Sequence, residues 1–533
     1  MTDFTAHRDV IVVGAGPVGL TAALLLADAG VRTTVVEKAT APGDLPRAIS
    51  LQDESFRILE QIGVAEELKA ESLLDTGSRY FGLDDVLLAE ARPVPSRIGH
   101  PAKTQFDQPI LEQLLFDRAV AHPDLELLLG TEATGLAQDT SGVLLEVTGP
   151  DGTATLRSDW LVAADGGRSF IRSSLGVKMV GSTQPQRWIV IDLLNETTQH
   201  DPYAEFHCDG KRPYVKVPGI KGRLRFEFML FDHEDADAMT TPESIRELMR
   251  PFRAELDPDD VRRAAVYVAH QRVAETYRSG RVFLAGDAAH LMPPFAGQGL
   301  NAGMRDGSNI AWKLTEAVRG GATERLLDSY GTERRTHGHQ MMKVSHRIGA
   351  VVMATGRRAT RLRDATIQLL RKAPAVHDFL ANMRFITPPD YSAGMAVPSA
   401  SQSRVLPAAP VGRALAQPDV VDAAGTTAGL DTHLGNGWAV VGISADPAEL
   451  DPYFQRLGVV PLRLDGPGTQ DAAPGLRETT ALLTEGHTGE PVFVLVRPDR
   501  YVAAVFTPDE QEQTVQSLRG FVDDRLRPAP STR

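Results

Sequence analysis

Three glycines, Gly14, Gly16 and Gly19 in the order GxGxxG, constrain this chain more than any other feature. They follow Val10 to Val13, a β-branched run, and precede Leu20, Ala23, Leu24 and Ala27 at helical spacing. Thr33 to Val36 then reads as a second buried strand ending at Glu37 and Lys38, so the opening is a βαβ unit and implies a parallel sheet. In that setting the first glycine permits the tight turn. The second lets backbone approach a pyrophosphate, and the third lets strand and helix pack closely. With Pro17 and Val18 completing the turn, Glu37 is placed to accept hydrogen bonds from an adenosine ribose, and Lys38 joins it in the candidate set. The motif implies a dinucleotide and does not separate FAD from NAD.

The chain has 533 residues, a length that suits three or four domains. Its charge, 56 Lys plus Arg against 69 Asp plus Glu for a net −13, disfavours a nucleic acid or an anionic membrane as partner. Cys208 is the only cysteine, which excludes an internal disulfide, a CxxC redox pair and a cysteine zinc cluster, and no metal site is expected. The start, with Asp3, His7, Arg8 and Asp9, is unlike a signal peptide, and no apolar run approaches the roughly 20 residues of a membrane span. A cytoplasmic protein is expected.

Along the chain, residues 1–180 are expected to form the first part of a Rossmann-like dinucleotide domain, in which Leu125 to Leu129 and Val143 to Val147 make a small sheet packed on the first. Residues 181–275 are strand-rich, with Trp188 to Asp192, Tyr214 to Val217 and Arg225 to Leu230 as strands and a helix capped by Thr241. Residues 276–400 return to the dinucleotide domain, with a long helix from Gly299 to Arg319. The Pro/Ala/Ser-rich stretch from Ile386 to Gln417 reads as a connection, and residues 401–533 as a small α/β domain with a last helix from Pro508 to Arg525.

Two further motifs narrow the cofactor. One is Gly286-Asp287-Ala288-Ala289-His290 followed by Pro293-Pro294-Phe295-Ala296-Gly297-Gln298-Gly299-Leu300-Asn301; the other is Asp165-Gly166-Gly167-Arg168. Together with the opening glycines they resemble the class A flavoprotein monooxygenases, the FAD-dependent aromatic hydroxylases. Within that group the chain is most similar to the 3-(3-hydroxyphenyl)propionate hydroxylases, through Arg187-Trp188-Ile189-Val190, Cys208-Asp209, Phe226-Glu227-Phe228-Met229 and Met304-Arg305-Asp306. Arg497-Pro498-Asp499 and Tyr501-Val502-Ala503 resemble the end of the thioredoxin-like tail domain of several such hydroxylases, here without either thioredoxin cysteine.

The resemblance implies an α/β fold in which the FAD domain is interleaved with a β-sheet substrate domain. It implies FAD as cofactor, NADH or NADPH and O2 as co-substrates, and a C4a-hydroperoxyflavin that passes oxygen to a phenol and yields a catechol. Asp165 would serve both cofactors, Gly286 and Asp287 would hold a cofactor hydroxyl, and Gln108 would contact the ribityl chain. Arg47 and Pro294 would sit close to the reactive ring. Gly297, Gln298, Gly299, Leu300 and Asn301 would present a helix N-terminus to the flavin pyrimidine edge. A His or Tyr near the phenol would help as base or hydrogen-bond partner, and His207, Tyr214 and Tyr203 are the candidates on the substrate strands. Two other readings stay open: a hydroxylase of a polycyclic aromatic polyketide, and a non-catalytic flavin-binding sensor. A halogenase lacks support because no WxWxIP segment is present, and a disulfide reductase needs two cysteines. Packing or oligomer contacts, including a homodimer, are the expected purpose of the tail.

Overall fold

Strand β1 (His7–Val13) is buried from Arg8 onward, and helix α1 (Pro17–Asp28) leaves the glycine turn with Pro17 at its first position, where a missing N–H costs nothing. Strand β2 (Thr33–Val36) runs parallel to β1, as do Gly152–Ala163 on its other side and then Val282–Leu284. The computed structural model describes residues 7–94, 96–467 and 475–526. Asp3, part of the argument against a leader, lies outside them. Leu125–Leu128 extends the parallel sheet beyond β2 instead of joining a separate small sheet. Val143–Gly149 and Glu132–Gln138 form a hairpin that branches from the long strand Gly152–Ala163. A twelve-residue strand has more length than the parallel core needs, and its free half recruits the hairpin.

A second sheet carries the strand-rich middle of the chain. Its first element in sequence, β3 (Gly77–Phe81), comes from well before that region. Strand β4 (Lys103–Gln105) pairs with Ser50–Gln52 in a separate two-stranded ribbon beside it. Then β5 (Tyr203–His207), β6 (Tyr214–Pro218) and β7 (Leu224–Leu230) follow, with β5 parallel to β3 and antiparallel to β6. The Arg47 to Leu68 stretch, whose apolar spacing alone reads as helical, opens as loop and strand before the helix Asp53–Ile62. One face of the sheet packs Phe226, Phe228, Ile189 and Ile191 under the helix Pro242–Met249, whose cap Thr241 accepts from Ser244 N as its sequence predicts. The other face closes over the first domain.

Helix α2 (Gly299–Val318) is buried over most of its length and crosses α1 so closely that a Cβ at Gly303 would meet Val18 Cγ2 at 2.6 Å and Gly286 Cα at 3.2 Å. A mixed sheet at the carboxyl end is built from parallel strands Ala439–Ile443, Val460–Asp465 and Leu476–Glu478, with Val492–Val496 and Val502–Phe506 antiparallel beside them. The last helix is Gln511–Arg519 after a single turn at Pro508–Glu510, shorter than expected because Gly520 ends it. No helix among the described residues is long and apolar enough to cross a membrane.

Candidate active site

Between the two large sheets lies a cavity of about 380 Å3. At one end Gly16, Pro17, Val18, Ala164, Gly166 and Asp287 line it, where the first glycine turn, the Asp-Gly turn and the GD turn converge. Gly14 adopts φ +107°, and a Cβ there would sit 2.4 Å from Ala164 O, so only glycine lets the two turns touch. Gly16 has nothing within 4 Å of a built Cβ, which leaves an open cradle at the N-terminus of α1.

The carboxylates around this end differ in their surroundings. Glu37 already accepts from Ala15 N and Ala39 N, each at 2.8 Å, which fixes its orientation at the end of β2. Asp165 accepts from Ile171 N at 3.1 Å through Oδ2, while buried Oδ1 has no partner. Burial raises the pKa of Asp165, and burial likewise raises Asp287, which projects into the cavity. An orphaned carboxylate oxygen and an open cradle fit a ligand with hydroxyls and a phosphate chain. Lys38 is exposed and, like Gly14, Gly19, Glu37, Asp165, Gly286 and Asn301, does not line the cavity.

In its middle, Pro294, Gly297, Gln298, Gly299 and Leu300 form one wall. Gln298 is fully buried with Oε1 unpartnered. Asn301 donates to Ser50 O and Gly297 O and accepts from Gln52 N and Ser55 Oγ. Its amide is thus used up in holding the loop, and it positions the wall without contacting the cavity. Gln108 accepts from Ala48 N at 2.6 Å and donates to Glu112, tying the Arg47 segment to the helix Gln108–Val120. Arg47 itself lines the cavity.

Behind the GD turn sits Asp306 on α2. It accepts from Gly286 N at 3.0 Å, His290 Nε2 lies 2.8 Å away, and Arg334 donates from Nε at 2.8 Å. Burial alone would raise this carboxyl; His290 and Arg334 outweigh it and hold it below the usual range. The same guanidinium reaches Tyr391 OH and Ala302 O, so one buried arginine couples the GD turn to the segment leading to the tail.

The far wall follows strand parity. Ser78 and Tyr80 on β3, Ala204 and Phe206 on β5, Val215 and Val217 on β6, and Arg225 and Glu227 on β7 all face the cavity. His207, Tyr203 and Tyr214 have the opposite parity and point away. His207 stacks on Tyr214 at 4.2 Å and on Phe81 at 4.6 Å, with Asp85 and Glu205 beside its nitrogens. The acid–base assignment to His207 and Tyr214 is therefore set aside, because neither ring reaches the cavity.

Arg225, absent from the sequence candidates, donates to Asp192, to Pro46 O and to Arg47 O. Glu227 accepts from Tyr267 OH at 2.6 Å. The signal for both was present as two charges inside an otherwise apolar strand.

This arrangement, a dinucleotide cradle opening under a β-sheet lid, defines a flavin-dependent oxidoreductase site. Residues 7–345 match a family described as an FAD binding domain, and residues 412–521 match one described as an HcaD C-terminal domain. The chain is 39% identical to a 3-(3-hydroxy-phenyl)propionate/3-hydroxycinnamic acid hydroxylase of Mycolicibacterium smegmatis, over 96% of this chain and 93% of that one. It is 38% identical to a protein of the same description from Burkholderia vietnamiensis, over 93% of each. Among solved structures, the flavin-dependent monooxygenase PieE, in complex with FAD and substrate, superposes with a TM-score of 0.82 at 23% identity, covering 97% of this chain and 99% of that one. The chain belongs to the family of FAD-dependent aromatic hydroxylases, with NAD(P)H and O2 as co-substrates.

Proposed function

We propose that this monooxygenase hydroxylates a single-ring phenol of the 3-(3-hydroxyphenyl)propionate type to a catechol. The observation that carries the reading is identity of 38% and 39% along nearly the whole chain to two hydroxylases named for that substrate. Bound FAD supplies the redox chemistry that joins NAD(P)H and O2 to oxygen insertion.

The chain's own residues do the rest. The turn from Gly14 to Gly19 and the N-terminus of α1 would hold the pyrophosphate, Glu37 the adenosine ribose, and Asp165 and Asp287 cofactor hydroxyls. The N–H groups of Gln298, Gly299 and Leu300, at the start of α2, would lie towards the flavin pyrimidine edge and favour negative charge there. Gln108 and Arg225 fix the Arg47 segment alongside, by the hydrogen bonds they make to Ala48 N, Pro46 O and Arg47 O. Tyr80, Phe206, Val215 and Val217 exclude water and seat the aromatic ring, which protects oxygen transfer from side reaction with solvent. The phenol's proton has one carboxylate acceptor on this wall, Glu227, which already accepts from Tyr267 OH.

The carboxyl-terminal unit is read as a thioredoxin-like fold put to packing use. Its mixed sheet, with a terminal antiparallel pair and a closing helix, supports that reading, and the lone Cys208 lies outside it.

The test is NAD(P)H oxidation stimulated by a panel of phenols, with label from 18O2 followed into product. Coupled insertion into 3-(3-hydroxyphenyl)propionate is expected. Insertion only into polycyclic phenols would replace the substrate, and oxidation without insertion into any phenol would refute the reading.

A further inference from the structure

Strand β4 places Lys103 and Gln105 one strand repeat apart, so both side chains leave the same face, and both line the main cavity. The Lys103 ammonium donates to Gly77 O at 2.8 Å and to Ser78 Oγ at 2.7 Å. That uses two of its three protons. Among the described residues, no carboxylate lies within ion-pair distance of it. Gln105 is 3% exposed, and neither its carbonyl oxygen nor its amide nitrogen has a partner.

Two polar groups left this way are costly in a folded chain, since a buried unpaired amide or ammonium forfeits its hydration without return. Burial pushes the Lys103 amine down to about 7, in keeping with a cation that has no counter-ion of its own. On the β7 wall and at Gln108 the polar groups are matched. Arg225 is paired with Asp192 and two backbone carbonyls, Glu227 with Tyr267, and Gln108 bridges Ala48 and Glu112. The remaining surface, from Tyr80 to Val217, is apolar and flat, with Tyr80 stacked on Phe206 at 4.8 Å.

The cavity thus combines a slot for an aromatic ring with a lysine that has no counter-ion and a carboxamide with neither end partnered, while its other cation without an ion pair, Arg47, acts electrostatically on Asp287 at the cofactor end. We propose that Lys103 and Gln105 hold the carboxylate of an acidic side chain on the phenolic substrate. Lys103 supplies its third N–H and its charge, and Gln105 supplies its amide N–H. The inference rests on the hydroxylase reading above and specifies which member of the phenol class the site selects. Lys103 also borders a larger outer cavity, together with Ser50, Ala296 and Met383, so the same cation stands on the wall between the outer and inner spaces and draws an anion inward.

The experiment uses the FAD-loaded full chain and two ligands of similar shape, 3-(3-hydroxyphenyl)propionate and neutral 3-ethylphenol. Equilibrium binding is measured by calorimetry without NAD(P)H, and turnover separately. Lys103→Met is expected to raise Kd for the acid by about 10- to 100-fold, the loss of one charge-assisted contact, and to leave 3-ethylphenol within about threefold. Lys103→Arg retains most of the preference, and Gln105→Leu shows a smaller loss in the same direction. Parallel weakening of both ligands, or no weakening of either, overturns the assignment while leaving the hydroxylase reading intact. So does loss of FAD in step with loss of the acid, which would give the pair to the cofactor. Failure of the unsubstituted chain to bind or oxidise either phenol would remove the hydroxylase reading, and the inference with it.

Discussion

Gly303→Ala adds one methyl group at the crossing of α1 and α2, where an ideal Cβ lies 2.6 Å from Val18 Cγ2 and 3.2 Å from Gly286 Cα. Two effects compete. Alanine is the better helix former by about 1 kcal/mol, whereas overpacking of a close contact costs about 1 to 3 kcal/mol. Val18 has little room to yield, because it is β-branched and stiff within a helix and its other methyl faces Gly286 at 3.2 Å from a built Cβ. The overlap therefore moves the N-terminus of α1 away from the GD turn, and these two elements make one end of the cofactor cavity. If most of the strain falls there, FAD affinity drops by roughly 5- to 100-fold, with about 1.4 kcal/mol for each tenfold. Flavin fluorescence titration of apoprotein reads this directly. Val18→Ala removes the clashing methyl, so the double variant is expected to bind FAD more tightly than Gly303→Ala alone. Unchanged affinity in Gly303→Ala, or losses that simply add in the double variant, would refute the argument.

Glu333 is fully buried between Lys313 and Arg497, and although burial pushes its carboxyl up, those two cations outweigh it and hold it at about 2. A carboxyl lowered by folding contributes stability that is complete above its ordinary value of 4.5 and is lost as pH falls towards 2. Acid titration followed by circular dichroism should show that loss in the parent chain. Glu333→Gln should lack it and be about 3 to 5 kcal/mol less stable at neutral pH, since buried Lys313 loses its carboxylate and Arg497 keeps only Asp499. Arg225→Lys keeps a charge beside Asp192 but not the fork that reaches Pro46 O and Arg47 O; it should raise peroxide formed per NAD(P)H oxidised, measured with a peroxidase assay. His207→Gln and Tyr214→Phe should leave kcat within about twofold, because their rings point away from the cavity; a larger fall would restore them as acid–base candidates.

The cofactor end was legible because each of its turns is local: a glycine spacing beside a strand, or an aspartate after one, states its own geometry. The far wall was not. Which residues of β5 and β6 face the cavity is a question of strand parity, and β7, buried on both faces, marks its cavity side only by the charges of Arg225 and Glu227. Lys103 and Gln105 escaped notice because a three-residue strand far from the glycine motifs gains meaning only when β3 is brought beside it. The edge strand Leu125–Leu128 was misplaced for a related reason, since its partner β2 lies about ninety residues earlier and nothing local records the pairing. Arg47 and Gln108 were found through likeness to a family, and Arg225, which holds the first of them, through neither route.

The buried charges around Glu333 reach past the catalytic half. From the turn between the last two strands, Asp499 accepts from Asn309 on α2 and Arg497 shares Glu333 with Lys313 of α2, while Tyr501 donates to Glu54 and Arg57 forks onto Asp431. Because Asn309 and Lys313 sit on the very helix whose first turn lines the cavity, the appendage is a keystone and not a trailer. A chimera carrying a foreign tail would need to import this whole set of matched ions with it, or else leave stranded charges that loosen the coenzyme without any change at its own contacts.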